Sequence, residues 1–322
     1  MKLETKRIAI YLAFAFGVAW ACGLIIYLTG GLVDSPQLVP GTGITLALVL
    51  LTVGYMWSPA LAHILTRLIT REGWHGVCLR PQLRRGWPYW ILAWFTPAVM
   101  TVLGAMLFFA IFPRYFDPSL TLIRDLLEQT GQTIPISPWA IVIIQTAVGV
   151  LIAPFINGLF TFGEEFGWRA YLQPKLMGIG GRKAMLLIGI IWGVWHWPVI
   201  AMGHNYGLEY PGFPWLGMLA MVWFTLVIGI FLGWVTLRGG SVWPAVIGHA
   251  AINGISSLGT LFVQGTPNPL LGPLPVGLIG SGAWALLAAW ILLKLRPPAL
   301  STDAAPTSAG DLTAEPETTL SP

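Results

Sequence analysis

Trp139 to Arg169 reads WAIVIIQTAVGVLIAPFINGLFTFGEEFGWR, and this stretch decides the fold class. It carries no charge until Glu164, and then two glutamates and an arginine follow within about one and a half turns of helix. A hydrocarbon core about 30 Å thick is crossed by about 20 helical residues, so the uncharged part is long enough to span a membrane. The rest of the chain repeats the pattern. Only 9% of the 322 residues are charged, against roughly a quarter in soluble domains. Hydrophobic residues make up 56% and Trp occurs 17 times. A water-soluble globule of this length could not bury so much apolar surface. The chain therefore reads as a polytopic membrane protein with the lipid bilayer as its partner. The net charge of +4 is no nucleic-acid footprint, because the basic residues punctuate the apolar runs instead of gathering in one patch.

The expected fold is all-α, a polytopic membrane helix bundle of about eight transmembrane helices. The segments are Ile8–Thr29, Thr42–Leu65, Tyr89–Phe112, Trp139–Phe162, Ala184–Met202, Trp215–Leu237, Val242–Phe262 and Val276–Leu293. The charged N-terminus leads straight into the first run, which is read as a retained span. Lys and Arg set the orientation. With the N-terminus inside, the cytoplasmic pieces hold Lys2, Lys6 and Arg7, then Arg67, Arg71, Arg80, Arg84 and Arg85. They also hold Arg169, Lys175, Arg182, Lys183, Arg238, Lys294 and Arg296. Of the 17 basic residues only Arg114 and Arg124 fall outside, and both termini are placed in the cytoplasm of a plasma-membrane protein. Residues 1–298 read as one transmembrane domain, with the motif core at about 139–262. Residues 299–322, rich in Ser, Thr, Ala, Pro and acid, read as a disordered tail. Leu120–Gln129 suits a short amphipathic helix at the outer surface. The GxxxG spacings at Gly189/Gly193 and Gly229/Gly233 suit close helix packing inside the chain. Cys22 and Cys78 lie at different depths and are read as free thiols.

Polar residues that loops do not explain are few: Asn157, Glu164, Glu165, Arg169, His196, His249 and Asn253. Each is costly in lipid and should face the bundle interior or a wet cavity. Adjacent helical residues point about 100° apart, so Glu164 and Glu165 cannot serve one face. Glu165 and Arg169, four apart, can pair. Glu164 then looks into the bundle, on the stripe of Asn157 seven residues earlier. His249 and Asn253 share a face of the seventh span, with His249 about 12 Å in from Ser241, and His196 lies in the fifth span. Three helices can thus bring Glu164, His196, His249 and Asn253 to one cavity, expected to open toward the cytoplasm. His63 has no partner motif and is read as packing.

Two chemistries suit such a cavity, both hydrolysing an acyl bond, most simply a peptide. In one, Glu164, His196 and His249 hold a zinc ion with water in the fourth position. In the other no metal is used. Glu164 is a general base on water, His196 orients that water, and His249 with Asn253 donates hydrogen bonds to the oxyanion of a tetrahedral intermediate. The cofactor is accordingly one zinc ion or none. HExxH, GxSxG and P-loop signatures are absent.

These residues resemble a known family. GEEFGWRAYL is similar to the first motif, EExxxR, of the CPBP family of intramembrane proteases, which includes the CAAX prenyl endopeptidases and bacterial Abi proteins. The second motif, FxxxH, reads Trp192-Gly-Val-Trp-His196, with Trp for Phe, and the third, HxxxN, reads His249-Ala-Ala-Ile-Asn253. The resemblance covers about Asn157 to Asn253, with weaker similarity in SPALAHILTRLI of the second span. It implies a multi-pass endopeptidase with Glu164 as the catalytic glutamate and Glu165 and Arg169 as its supports. His196, His249 and Asn253 are implied as the rest of the site. The family is described both as metallo- and as glutamate-dependent, so both chemistries remain. The implied substrate is a membrane-associated protein or peptide, of the prenylated CAAX type or not, since some bacterial members serve bacteriocin immunity or maturation. A non-catalytic membrane adaptor or immunity protein and a proton-coupled transporter are the competing expectations.

Overall fold

A computed structural model of the chain describes residues 2–129 and 137–295. The tail expected to be disordered lies outside them. In lipid the backbone must satisfy its own hydrogen bonds, and the apolar runs do so as helices. The first run forms α1 (Lys2–Leu28). A small antiparallel hairpin follows, β1 (Gln37–Val39) with β2 (Ile44–Thr45). The sequence reading had no strand here, yet Gly41 and Gly43 take the positive φ values, 75° and 71°, that let so short a turn close.

The Thr45 side chain accepts a hydrogen bond from the Leu48 N–H and caps α2 (Leu46–Ile69). Pro59 has no N–H for the Tyr55 carbonyl, and the helix accommodates it with a π-helical stretch over Leu50–Tyr55. Next come α3 (Leu83–Ile111) and the surface helix α4 (Thr121–Gln129), one residue later than expected. Its Ile123 packs with Leu120 and Val142.

The decisive run forms α5 (Pro138–Leu151) and α6 (Ala153–Ile179), bent by 45° at Ile152. Pro154 leaves the Val150 carbonyl without its helical donor, and the indole N–H of Trp94 in α3 replaces it at 2.6 Å. The chain continues as α7 (Gly181–Trp195), α8 (Trp215–Gly239), α9 (Trp243–Phe262, 3-10 from Ser256) and α10 (Gly282–Lys294).

The architecture is the expected all-α polytopic bundle. Among the described residues five helices, α1, α2, α3, α8 and α9, are long and apolar enough to cross a membrane, and the bent pair α5 and α6 passes the same test taken together. The fifth expected segment breaks at His196, because Pro198 removes the donor for the Val194 carbonyl. In the eighth, residues 276–281 are turns, so the helix proper is only the 13 residues of α10.

Helix α9 sits at the centre, packed on α3 and α6. Helix α8 packs on α7, α3 and α10, and α2 bridges α1 and α6. Close approach is built from glycine. A Cβ on Gly189 would lie 2.6 Å from Leu226 Cα, and one on Gly193 2.5 Å from Val222 Cα. This GxxxG therefore joins α7 to α8 within the chain. The basic ends of the helices meet on one face. There Lys175 Nζ lies 2.8 Å from carboxylate oxygens of both Glu4 and Glu72, and Arg7 Nε 3.3 Å from Glu72.

Candidate active site

Helix α6 carries Glu164 and Glu165 against α2, and two glycines one turn apart permit the contact. A Cβ on Gly163 would lie 2.7 Å from the Met56 carbonyl oxygen, and one on Gly167 2.4 Å from Pro59 Cβ. At that separation both carboxylates are buried, 2% and 0% exposed. Burying a carboxylate is costly unless it is paired, and the two are paired differently.

Glu165 faces Arg169, as the four-residue spacing suggests. Nη1 donates to Oε1 at 3.1 Å, and Nε lies 3.0 Å from Oε2 without the alignment of a hydrogen bond. Oε1 also accepts from Nδ1 of His249 at 2.8 Å. Glu165 thus pairs with Arg169 as the spacing suggests and bonds His249 as well, a contact the spacing does not suggest. A carboxylate only accepts, so Nδ1 of His249 carries the proton and Nε2 is turned elsewhere.

Glu164 accepts a hydrogen bond from the indole N–H of Trp192, Nε1 to Oε2, at 2.7 Å. The same indole lies under the Arg169 guanidinium, 4.5 Å from its ring centroid, and meets the His249 ring edge-on at 5.2 Å. Trp192 thus lines the cavity and holds Glu164, which its place as an aromatic substitute in the second motif does not indicate. The signal was there: a buried Trp needs an acceptor for its N–H, and few acceptors exist at that depth.

The break that ends α7 places His196. Its Nδ1 donates to the Trp192 carbonyl at 2.8 Å, which leaves Nε2 as the other ring nitrogen. The Trp195 carbonyl, released by the break, accepts from the Tyr55 hydroxyl and, at 3.2 Å, from Trp20 Nε1.

Glu164, Trp192, His196, His249 and Asn253 line one cavity of about 360 Å³. Its remaining walls are largely apolar, with Leu51, Phe224 and Ile228 among them. Glu165 and Arg169 lie behind this wall. Asn157 is absent from it, and its amide donates to the Ala250 carbonyl at 3.3 Å, tying α6 to α9. His63 is packed, as read, but in a defined way. Nδ1 donates to the carbonyl of Phe166, next to Glu165, at 2.9 Å, and Nε2 accepts from Arg67 at 2.7 Å.

Among the described residues no three His, Cys, Asp or Glu side chains are grouped so as to hold a metal ion. The wall runs through Leu48 to Met56, Trp192 to Val199, Met221 to Ile228 and His249 to Ser256, with His204, Asn205 and Val276. On α2, α7 and α8 these residues lie away from Arg67, Arg182 and Arg238, and on α9 they lie in its middle turns.

Residues 138–255 fit the family described as Type II CAAX prenyl endopeptidase Rce1-like. A stretch of 93 residues is 36% identical to CAAX prenyl protease 2 of Methanococcus maripaludis, covering 28% of this chain and 34% of that protein. The chain thus spans about a third of the length of the curated relative it matches. Over residues 138–255 this chain is therefore similar to the Rce1-like CAAX prenyl endopeptidases, in agreement with the CPBP family that its three motifs resemble.

Proposed function

We propose that this chain is an intramembrane endopeptidase that hydrolyses a peptide bond of a membrane-associated protein or peptide, CAAX-type substrates included. Residues 1–298 would act as one catalytic unit in the plasma membrane, with its core at 139–262. The observation that carries the reading is a buried carboxylate, Glu164, sharing one cavity wall with His196, His249 and Asn253.

The chemistry follows from which atoms are already engaged. Glu164 Oε2 is held by Trp192, so Oε1 is the base. It takes a proton from a water, and the hydroxide formed attacks the carbonyl carbon of the scissile bond. His196, with Nδ1 committed to a backbone carbonyl, offers the Nε2 lone pair to the second hydrogen of that water. The Asn253 amide donates to the oxyanion. His249 does so only in its doubly protonated form, and Glu165, bonded to Nδ1, is the counterion for that form. Protonated Glu164 then passes its proton to the leaving amine and the C–N bond breaks. No step is routed through a metal.

The test is cleavage of a membrane-delivered peptide by Glu164→Ala and Glu164→Gln proteins. Both should insert and fold as the parent does, and cleavage should fall to background. Unchanged cleavage in either well-folded variant would overturn the proposal.

A further inference from the structure

The basic face carries more positive charge than its own residues neutralise. A Cβ on Gly86, in the first turn of α3, would lie 2.8 Å from the Gly239 carbonyl oxygen at the end of α8. Nearby, Arg238 Nε donates to the Tyr89 hydroxyl at 3.2 Å. Tyr89 meets Trp234 edge-on at 5.4 Å, and Trp234 meets Trp290 of α10 at 6.1 Å. Arg182, in the first turn of α7, donates to the carbonyls of Leu293 and Leu295, both at 3.2 Å. The starts of α3 and α7 and the ends of α8 and α10 are therefore neighbours, gathered where the described residues stop at Leu295.

These helix ends expose Arg84, Arg85, Arg182, Lys183, Arg238 and Lys294. None of them is in an ion pair among the described residues. Residues 79–90, 180–186, 232–243 and 288–295 contain no acid. Glu4 and Glu72, on the same face, are already shared among Arg7, Arg67 and Lys175. Neither α3 nor α7 has an acidic residue in its first turn or a side-chain cap, so the dipoles of both helices add to the excess. The surface lacks an anionic partner.

The sequence holds one. Residues 297–322 contain Asp303, Asp311, Glu315 and Glu317, and no Lys, Arg or His. They begin two residues after Leu295, which Arg182 already holds. The stretch from Leu295 to Asp311 can reach about 55 Å at most, and such a tether keeps its acids at about millimolar concentration around the patch. We propose that the acidic segment 297–322 docks on this patch as its counterion, its carboxylates pairing with the arginines and lysines at the ends of α3, α7, α8 and α10. The contact holds whether or not the cavity hydrolyses peptides.

The test is disulfide formation across the contact. Full-length protein lacking both native cysteines, Cys22→Ser with Cys78→Ser, carries Leu83→Cys beside Arg84 and Ala314→Cys beside Glu315. In phosphatidylcholine vesicles, neutralising the segment (Asp303→Asn, Asp311→Asn, Glu315→Gln and Glu317→Gln) should slow cross-linking about tenfold, the loss expected when a tethered partner is no longer held. Salt at about 1 M should do the same to the parent, since exposed charges are then screened within about 3 Å. Arg84→Glu with Arg85→Glu should also slow it, and Arg84→Gln with Arg85→Gln repeats the measurement should the first pair misfold. Equal rates with and without the segment's acids overturn the inference, as does a rate indifferent to salt. Cross-linking abolished by phosphatidylglycerol at about a third of the lipid overturns it too, because the patch would then belong to anionic headgroups.

Discussion

Trp192→Phe is the sharpest perturbation of this site. It keeps an aromatic ring between Arg169 and His249 and removes one N–H, the one that donates to Glu164 Oε2 at 2.7 Å. Both partners are 2% exposed, so water does not simply replace the donor. A hydrogen bond to a charged group contributes about 1.5–3 kcal/mol, and each 1.4 kcal/mol off a barrier is about a factor of ten in rate. With the carboxylate released from its fixed orientation, kcat should fall by about 10- to 100-fold. KM should stay within about twofold, since Trp192 positions the base and does not recognise the peptide. Trp195→Phe is the control. That indole lies on the same helix and is equally buried, but it donates to the Ala15 carbonyl at 3.2 Å and the Ser58 hydroxyl at 3.3 Å. Losing it should lower the melting temperature and leave kcat within about twofold. Steady-state cleavage of a membrane-delivered peptide, with protein thermal unfolding in parallel, separates the two. A Trp192→Phe enzyme with full kcat, or equal losses in both variants, would refute the reasoning.

Other consequences concern the support of the site and its packing. Arg169→Met strands Glu165 in a fully buried position with His249 as its remaining partner, and removing one member of a buried pair costs about 3–5 kcal/mol. A loss below about 1 kcal/mol in denaturant unfolding would mean that the pair is not the anchor described. Gly167→Ala places a Cβ 2.4 Å from Pro59, so it should destabilise by about 1–3 kcal/mol and reduce cleavage by pushing Glu164 off its position. Preserved activity and melting temperature would sink the close α2–α6 contact. At the basic face, burial pushes the Glu72 carboxyl up. The hydrogen bond from Lys175 and the charges of Lys175, Arg67 and Arg7 outweigh it and hold Glu72 below its usual value. Its contribution is therefore complete above the unfolded-state value and is lost as pH falls through the lower folded value, and it should amount to about 1 kcal/mol. Glu72→Gln should remove that part of the acid sensitivity of melting, and an identical pH profile in the variant would contradict the assignment.

Much of the site was legible because it rests on local geometry. Glu165 with Arg169, and His249 with Asn253, are one helical turn apart, and helical spacing alone puts each pair on a common face. Other features depend on neighbours distant in sequence. Nothing local to Glu165 shows that His249, 84 residues on, shares its Oε1 oxygen with Arg169. Nothing local to Trp192 shows that its N–H ends on Glu164, 28 residues before it. The breaks at Ile152 and His196 were signalled by Pro154 and Pro198, but hydropathy averages over such residues and joined the pieces into straight spans.

The sequence by itself determined that this chain lives in a membrane, which face is basic, and which few polar residues need a reason to be there. Those are properties of hydropathy and charge, which add along the chain and need no folding to read. Only the tertiary structure decided which glutamate holds His249 and that Trp192 grips the other. Each depends on how α2, α6, α7 and α9 lie against one another. That packing is fixed by side-chain volume, by the glycines that let backbones touch, and by the demand that every buried charge find a partner.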